Sequence, residues 1–238
     1  MGLPNLANDR PIYELTVPST KEVVKYRPFL VKEQKVMLVA FESKDTKQIL
    51  NSILSSIDSC VEGVDVNSLS TFDVDYMFTK IRAKSVGETS KLVMSCTKCE
   101  SENTVEVNLD QIELDDKNIR DTKISLTDNI LVEMRYPTYV QMMKKQNLFS
   151  EDAAMTDMIF SNIEICMKSV QTDDENILID DEPKEEVEKF VNNLNNDQMK
   201  KVMDFVENLP ALSYESNFKC VKCGEHNIVK LSGLNDFF

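Results

Sequence analysis

Glycine is scarce in this 238-residue chain, with single glycines at positions 2, 63, 87, 224 and 233. Without a glycine cluster, neither a phosphate-cradling P-loop nor a dinucleotide fingerprint can be drawn. Histidine occurs once, at His226, and tryptophan not at all. Hydroxyl and thiol nucleophiles usually need a histidine base nearby, so this shortage argues against nucleophilic catalysis. Long apolar runs are missing as well. The longest, Val36 to Phe41, falls far short of the roughly 18 residues a membrane span needs. The opening Met1-Gly2-Leu3-Pro4-Asn5-Leu6 lacks the basic and apolar regions of a secretion signal, and Leu6 stands where a myristoylation site wants Ser or Thr. Positive charge is in deficit: 27 Lys and Arg face 41 Asp and Glu, a net charge of -14. Nucleic-acid binding needs a basic surface on which counterions are exchanged, so that class is disfavoured. What the chain does have is 42% hydrophobic residues, enough to build a core and to exclude global disorder. The expectation is a soluble, acidic protein made inside the cell and not an enzyme. A glycosidase-like carboxylate pair is the one catalytic arrangement composition leaves open, and nothing marks two of the acids as special.

Periodicity outlines an α+β fold. Tyr13 to Val17 alternates, Pro18-Ser19-Thr20-Lys21 turns, and Val23 to Tyr26 returns as a second strand. Val31 to Ser43 is helical in composition. Ile49, Leu50, Ile53, Leu54, Ile57, Cys60 and Val61 form one apolar stripe at helical spacing. Thr71 is the expected N-cap of a third helix with Val74, Met77, Phe78 and Ile81 inward and Gly87 just past its end. A β-rich middle follows, with strands at Lys91 to Ser95, Thr104 to Leu109, Thr122 to Leu126 and Ile130 to Met134. Ser150 is the expected cap of a helix burying Met155, Met158, Ile159, Ile163, Cys166, Met167 and Val170. Further helices are expected after Pro183, around Val187, Phe190, Val191 and Leu194, and around Met199, Val202, Met203 and Val206. The organisation expected is an N-terminal region, 1–90, of hairpin and helices, and a second region, 91–238, holding the β-rich segment, acidic helices and a C-terminal hairpin. Charge is uneven: residues 151–208 hold 16 acids and 5 bases, residues 1–50 hold 6 acids and 8 bases. The acids are either the solvated faces of helices or a docking surface for a basic partner.

The cysteines carry the strongest chemical signal. Four of the six form two tight pairs, Cys96-Thr97-Lys98-Cys99 and Cys220-Val221-Lys222-Cys223. Two intervening residues let both thiolates of a pair face one tetrahedral ion, and two pairs complete a four-cysteine site. Each pair lies between short extended segments, the pattern of a zinc ribbon, and Gly224 suits the left-handed turn such a loop requires. Lys98 and Lys222 offset part of the thiolate charge. The pairs are 120 residues apart, so the fold must bring them together. A structural Zn2+ is the leading expectation; an iron–sulfur cluster, disulfides and free thiols are the alternatives. His226 is either a substitute ligand or a polar residue of the hairpin, and Cys60 and Cys166 lie on apolar faces as core residues. Four cysteines leave no open coordination position for catalysis.

Lys25-Tyr26-Arg27-Pro28-Phe29-Leu30-Val31-Lys32-Glu33-Gln34-Lys35 resembles a signature of the baseplate hub assembly proteins of T-even-type contractile-tailed bacteriophages. So do Phe72 to Tyr76, Ile81 to Glu88, the opening Leu3-Pro4 and the ending Leu231 to Phe238. The resemblance implies a non-enzymatic protein that builds the central hub of a tail baseplate, either as a virion component or as an assembly chaperone in the host cytoplasm. Its implied partners are other baseplate or hub proteins, with no membrane, nucleic acid or small-molecule substrate. Tyr26, Arg27, Pro28 and Phe29 have the composition of an interface anchor and equally that of a strand-to-helix junction with Phe29 and Leu30 in the core. Phe237 and Phe238 are a further candidate partner contact. A zinc-ribbon regulator of nucleic acid is the remaining alternative; it requires a basic, aromatic ribbon surface, and the ribbons here offer scattered lysines.

Overall fold

The computed structural model describes residues 10–119, 121–145 and 154–232. Its strands are β1 (Tyr13–Thr16), β2 (Val23–Tyr26), β3 (Val61–Glu62), β4 (Thr89–Ser95), β5 (Glu102–Asn108), β6 (Glu113–Leu114), β7 (Lys123–Ser125), β8 (Leu131–Met134), β9 (Met167–Gln171), β10 (Asn176–Leu178), β11 (Leu212–Lys219) and β12 (His226–Ser232). Its α-helices are α1 (Val31–Ser43), α2 (Thr46–Asp58), α3 (Thr71–Val86), α4 (Tyr139–Lys144), α5 (Met155–Cys166), α6 (Lys184–Asn192) and α7 (Asn196–Glu207). The class is α+β, as the periodicity indicates. Contacts divide the chain into two units: Met1–Asp116 with Ala211–Phe238, and Lys117–Pro210. Residues 91–116 therefore group with the N-terminal elements, whereas the sequence suggested a boundary near residue 90.

In the first unit, β1 and β2 pair antiparallel with Tyr13 opposite Tyr26 and Leu15 opposite Val24, and β3 adds to β2. The hairpin turn is tied to α3. Asp73, fully buried, accepts from the Ser19 N–H at 2.8 Å and the Ser19 hydroxyl at 2.6 Å, and also from the Ser70 hydroxyl. Ser70 is extended, with φ -64 and ψ 157, and is the N-cap, one residue before the expected Thr71. Asp73 thus anchors both the helix start and the hairpin, while its charge faces the N-terminal end of the helix dipole. Phe72, Val74, Met77, Phe78 and Ile81 of α3 are all buried. Against them pack Leu50, Ile53, Leu54 and Ile57, the stripe of α2, whose N-cap Asp45 accepts from Lys47 N and Gln48 N. The second half of α3 supports the cysteine-bearing hairpins: Ala83, Met94, Val105, Val107, Leu109, Ile112, Leu212 and Leu231 form one apolar cluster.

The run from Lys25 to Lys35 is a strand-to-helix junction. Tyr26 and Phe29 are each 5% exposed, and the Phe29 and Phe78 ring centres lie 5.6 Å apart. Arg27 is engaged internally: its guanidinium donates to Glu33 at 2.9 Å, to the Ser59 carbonyl at 2.7 Å and to the Pro28 carbonyl at 3.0 Å. Of the four residues expected to contact a partner or to form a junction, Tyr26 and Phe29 are buried between β2 and α3, as in the junction reading, and Arg27 and Pro28 are half-buried.

The second unit places β10, β9, β8 and β7 side by side in an antiparallel sheet. Val132, Met134, Ile163, Cys166, Met167, Val187, Val191, Val202 and Phe205 form its core, and Tyr136 stacks on Phe205 at 5.5 Å. The expected long helical face ends early. α5 stops at Cys166, Met167–Gln171 continues as β9, and Met155 is 78% exposed. Met167 and Val170 satisfy helical spacing, but Val132 pairs with Val170 and Glu133 with Ser169, and the sheet wins. The cap of α5 is Ala154; Ser150 lies outside the described residues. Asp173, Asp174, Glu175, Asp181, Glu185 and Glu186 are exposed, so these acids are solvated.

Glu33 yields a pH test. Burial pushes its carboxyl up, but the Arg27 guanidinium and the Leu30 N–H, at 2.8 Å, outweigh burial and hold it below the usual range. A carboxyl lowered by folding stabilises the folded chain above its unfolded value and loses that contribution as pH falls through the folded one. Glu33→Gln is expected to lower stability by about 1.5–3 kcal/mol near neutral pH, the range for hydrogen bonds to charged groups. Urea midpoints should show the two proteins converging below about pH 4, where the unfolded carboxyl is protonated.

Candidate metal centre

Both cysteine pairs sit at hairpin tips, and the two tips are built alike. β4 pairs with β5 from Thr89 opposite Asn108 to Ser95 opposite Glu102, and β11 pairs with β12 out to Lys219 opposite His226. In the first loop the Cys96 N–H donates to Ser101 O at 3.0 Å and the Glu100 N–H to Cys96 O at 2.9 Å. In the second, Cys220 N–H donates to Glu225 O at 2.8 Å and Gly224 N–H to Cys220 O at 3.0 Å. The residue after each second cysteine has positive φ, 57 for Glu100 and 74 for Gly224. Glycine takes that conformation without strain, while Glu100 is held in it by the loop's hydrogen bonds. The Lys98 N–H points at Cys96 Sγ at 3.5 Å, and the Lys222 N–H at Cys220 Sγ at 3.4 Å.

The four sulfurs of Cys96, Cys99, Cys220 and Cys223 all lie within 4.8 Å of one another. Across the pairs, Cys96 to Cys223 and Cys99 to Cys220 are each 3.6 Å. A tetrahedral ion with metal–sulfur bonds of about 2.3 Å requires sulfur–sulfur edges of roughly 3.8 Å, so the donor set fits one such ion. Cys96 and Cys220 are buried, Cys99 is partly buried and Cys223 is exposed. His226 is exposed on β12 and stands outside this cluster.

Electrostatics favour a cation at the centre. The Ser101 hydroxyl, 3.2 Å from Cys220 Sγ, and the N–H groups of Cys223 and Lys222 bring the Cys220 thiol down to about 5. The Lys98 N–H is the chief cause that lowers Cys96. Cys223 receives the Glu225 N–H, yet desolvation, and after it the neighbouring sulfurs of Cys99, Cys220 and Cys96, carry it up to about 12. Four sulfurs this close cannot all be thiolates together unless a positive charge sits between them. Lys98 adds charge outside the cluster, where it pairs with Glu225 at 2.9 Å and links the two loops. The remaining thiols have a different environment: burial pushes Cys60 up to about 11 and Cys166 up to about 12, as expected of core residues.

Sequence reasoning missed two residues of this site, Asn103 and Asn227, both buried among the loops. A signal was available. Cys96-Thr97-Lys98-Cys99-Glu100-Ser101-Glu102-Asn103 and Cys220-Val221-Lys222-Cys223-Gly224-Glu225-His226-Asn227 share both cysteines, the lysine and the asparagine at the same offsets.

Elemental analysis of the purified chain is expected to find about one metal ion per chain, with zinc the ion. Chelation or Cys99→Ser should lower the thermal midpoint, and His226→Ala should leave the metal content unchanged. Metal-free protein of undiminished stability would contradict the assignment.

Comparison with known proteins adds the family. Searches of curated proteins and of solved structures found no match. A family model described as T4 bacteriophage base plate protein matches residues 10–238, a span that contains the Lys25 to Lys35 junction and all four clustered cysteines. The chain belongs to the T4 bacteriophage base plate protein family.

Proposed function

We propose that this protein is a non-enzymatic subunit of the phage tail baseplate hub, that it acts in baseplate assembly through protein–protein contacts, and that its four clustered cysteines hold a structural zinc ion. Family membership over residues 10–238 is the observation that carries this reading. It supports other phage tail proteins as the partners and the virion tail as the location. Among the described residues, no helix is long and apolar enough to cross a membrane.

The surface of α1 supports a role in assembly. Val36, Leu38 and Val39 are 52%, 61% and 59% exposed, while Met37 and Ala40 face the core. Between Val36 and Phe41 this helix is apolar on its exposed as well as its buried face, a distribution that solvent does not favour and that a neighbouring subunit would cover. Beside Tyr26, Arg27, Pro28 and Phe29, the proposed partner contact, the helix that follows them offers a more exposed apolar surface. Phe237 and Phe238, the other proposed partner contact, lie outside the described residues. Exposed acids of the second unit offer a further surface suited to a basic partner.

The alternative within the same family is a transient assembly chaperone in the host cytoplasm. Mass spectrometry of purified virions separates the two: presence at fixed stoichiometry with hub proteins is expected, and absence from mature particles would establish the chaperone. Leu38→Asp, at an exposed position, is expected to leave the thermal midpoint of the isolated protein within about 2 °C, since surface substitutions change stability by about 0.5 kcal/mol or less. Its incorporation into baseplates should fall sharply.

A further inference from the structure

The two cysteine hairpins hold each other through a reciprocal exchange of side chains. Asn227 belongs to the second hairpin, yet its Oδ1 accepts the Thr97 N–H at 2.9 Å and the Thr97 hydroxyl at 2.8 Å, both in the first. Asn103 belongs to the first hairpin, and its Oδ1 accepts the Val221 N–H of the second at 2.9 Å. The amide nitrogens are equally constrained. Asn227 Nδ2 donates to Glu225 O at 3.1 Å and lies 3.7 Å from Cys96 Sγ; Asn103 Nδ2 donates to Ser101 O at 2.7 Å and lies 3.9 Å from Cys220 Sγ. Neither amide can be turned over, because its oxygen would then face a carbonyl and a sulfur while its nitrogen faced a backbone donor. Both side chains are sealed from water, with Asn103 4% and Asn227 3% exposed.

The direction of these donors matches where charge is hardest to carry. Four thiolates around one divalent cation leave two negative charges on sulfur. Cys223 is exposed and Cys99 partly so, and water can solvate them; Cys96 and Cys220 are buried at 1% and 2%. Those two buried sulfurs are the ones that face the asparagine amides. Hydrogen bonds to a ligand from outside the coordination sphere orient it and tune its affinity for metal.

We propose that Asn103 and Asn227 are positioning residues of the metal centre, each reaching across to the opposite hairpin to hold its loop and to donate N–H to its buried cysteine. This rests on the reading of the four cysteines as a metal site. The clamp sets the register of the two loops, and its donors offset thiolate charge at Cys96 and Cys220.

The test uses the full chain titrated with cobalt(II) alone and zinc(II) alone. Asn103→Asp and Asn227→Asp keep the shape and the accepting oxygen but replace the donor with an oxygen that repels a thiolate. Each is expected to weaken cobalt binding about tenfold or more and to shift the thiolate-to-cobalt charge-transfer band. Alkylation of the zinc-loaded protein, mapped by peptide mass spectrometry, supplies a readout that loss of packing alone would not reproduce. Asn227→Asp should speed reaction at Cys96, and Asn103→Asp at Cys220, each crossing to the other hairpin. If an Asp variant fails to fold, Asn103→Ser and Asn227→Ser carry the same comparison. Unchanged cobalt affinity, or equal sensitisation of all four cysteines, would overturn the clamp. An unsubstituted chain that gives no tetrahedral thiolate spectrum with cobalt would overturn the metal site itself.

Discussion

Leu212 comes back beside Leu114 after the chain has run through a whole folded unit, and the pairing of β11 with β6 that follows is the contact on which the cysteine site depends. Asp115 N–H donates to Ala211 O at 3.1 Å, so the outgoing and returning backbones touch where the first unit is left and rejoined. Leu212 is fully buried among Val107, Leu109 and Ile112. Once β11 is fixed by that burial, its hairpin with β12 has one register available, and Cys220 and Cys223 are delivered to Cys96 and Cys99. The entropy of joining two segments 120 residues apart is therefore offset by apolar contacts and strand pairing before any sulfur chemistry is invoked.

The same unit shows how a few polar residues organise a mostly apolar interior. Asp73 ties the β1–β2 turn to the start of α3, and Glu33 joins the Arg27 guanidinium to the first turn of α1. Each carboxylate is buried with more than one donor, the condition under which a charge inside a protein is tolerated. α3 lies between these two tasks. It packs against α2 and also contributes Tyr76 and Ala83 to the apolar cluster beneath the cysteine hairpins, so the motif-bearing N-terminal segment and the candidate metal centre share one support.

The distribution of chemistry in this member of the base plate protein family suits a protein that holds its shape and presents surfaces. The thiols outside the cluster are buried and hard to ionise. The clustered ones are arranged as a four-sulfur set, a donor set of the kind found in structural metal sites. Excess acidity is concentrated in residues 151–208, with 16 acids against 5 bases, while α1 of the first unit carries exposed aliphatic side chains.

Much of this was legible in the sequence because the signals are local. The hairpin at Tyr13 to Tyr26, the boundaries of α1 and the apolar stripe of α2 follow from alternation, turn residues and helical spacing within a few residues of one another. The two cysteine pairs were visible in the same way, and so was the asparagine seven residues after each first cysteine. Where local signals were ambiguous, tertiary contacts decided. Met167 and Val170 became strand because β8 offered them partners, and Tyr26 and Phe29 became core because α3 supplied a wall for them. The meeting of the two cysteine pairs belongs to that second class. No short window of sequence encodes a contact between residues 99 and 220; it exists because burial of Leu212 against the first unit outweighs the freedom of the chain between them.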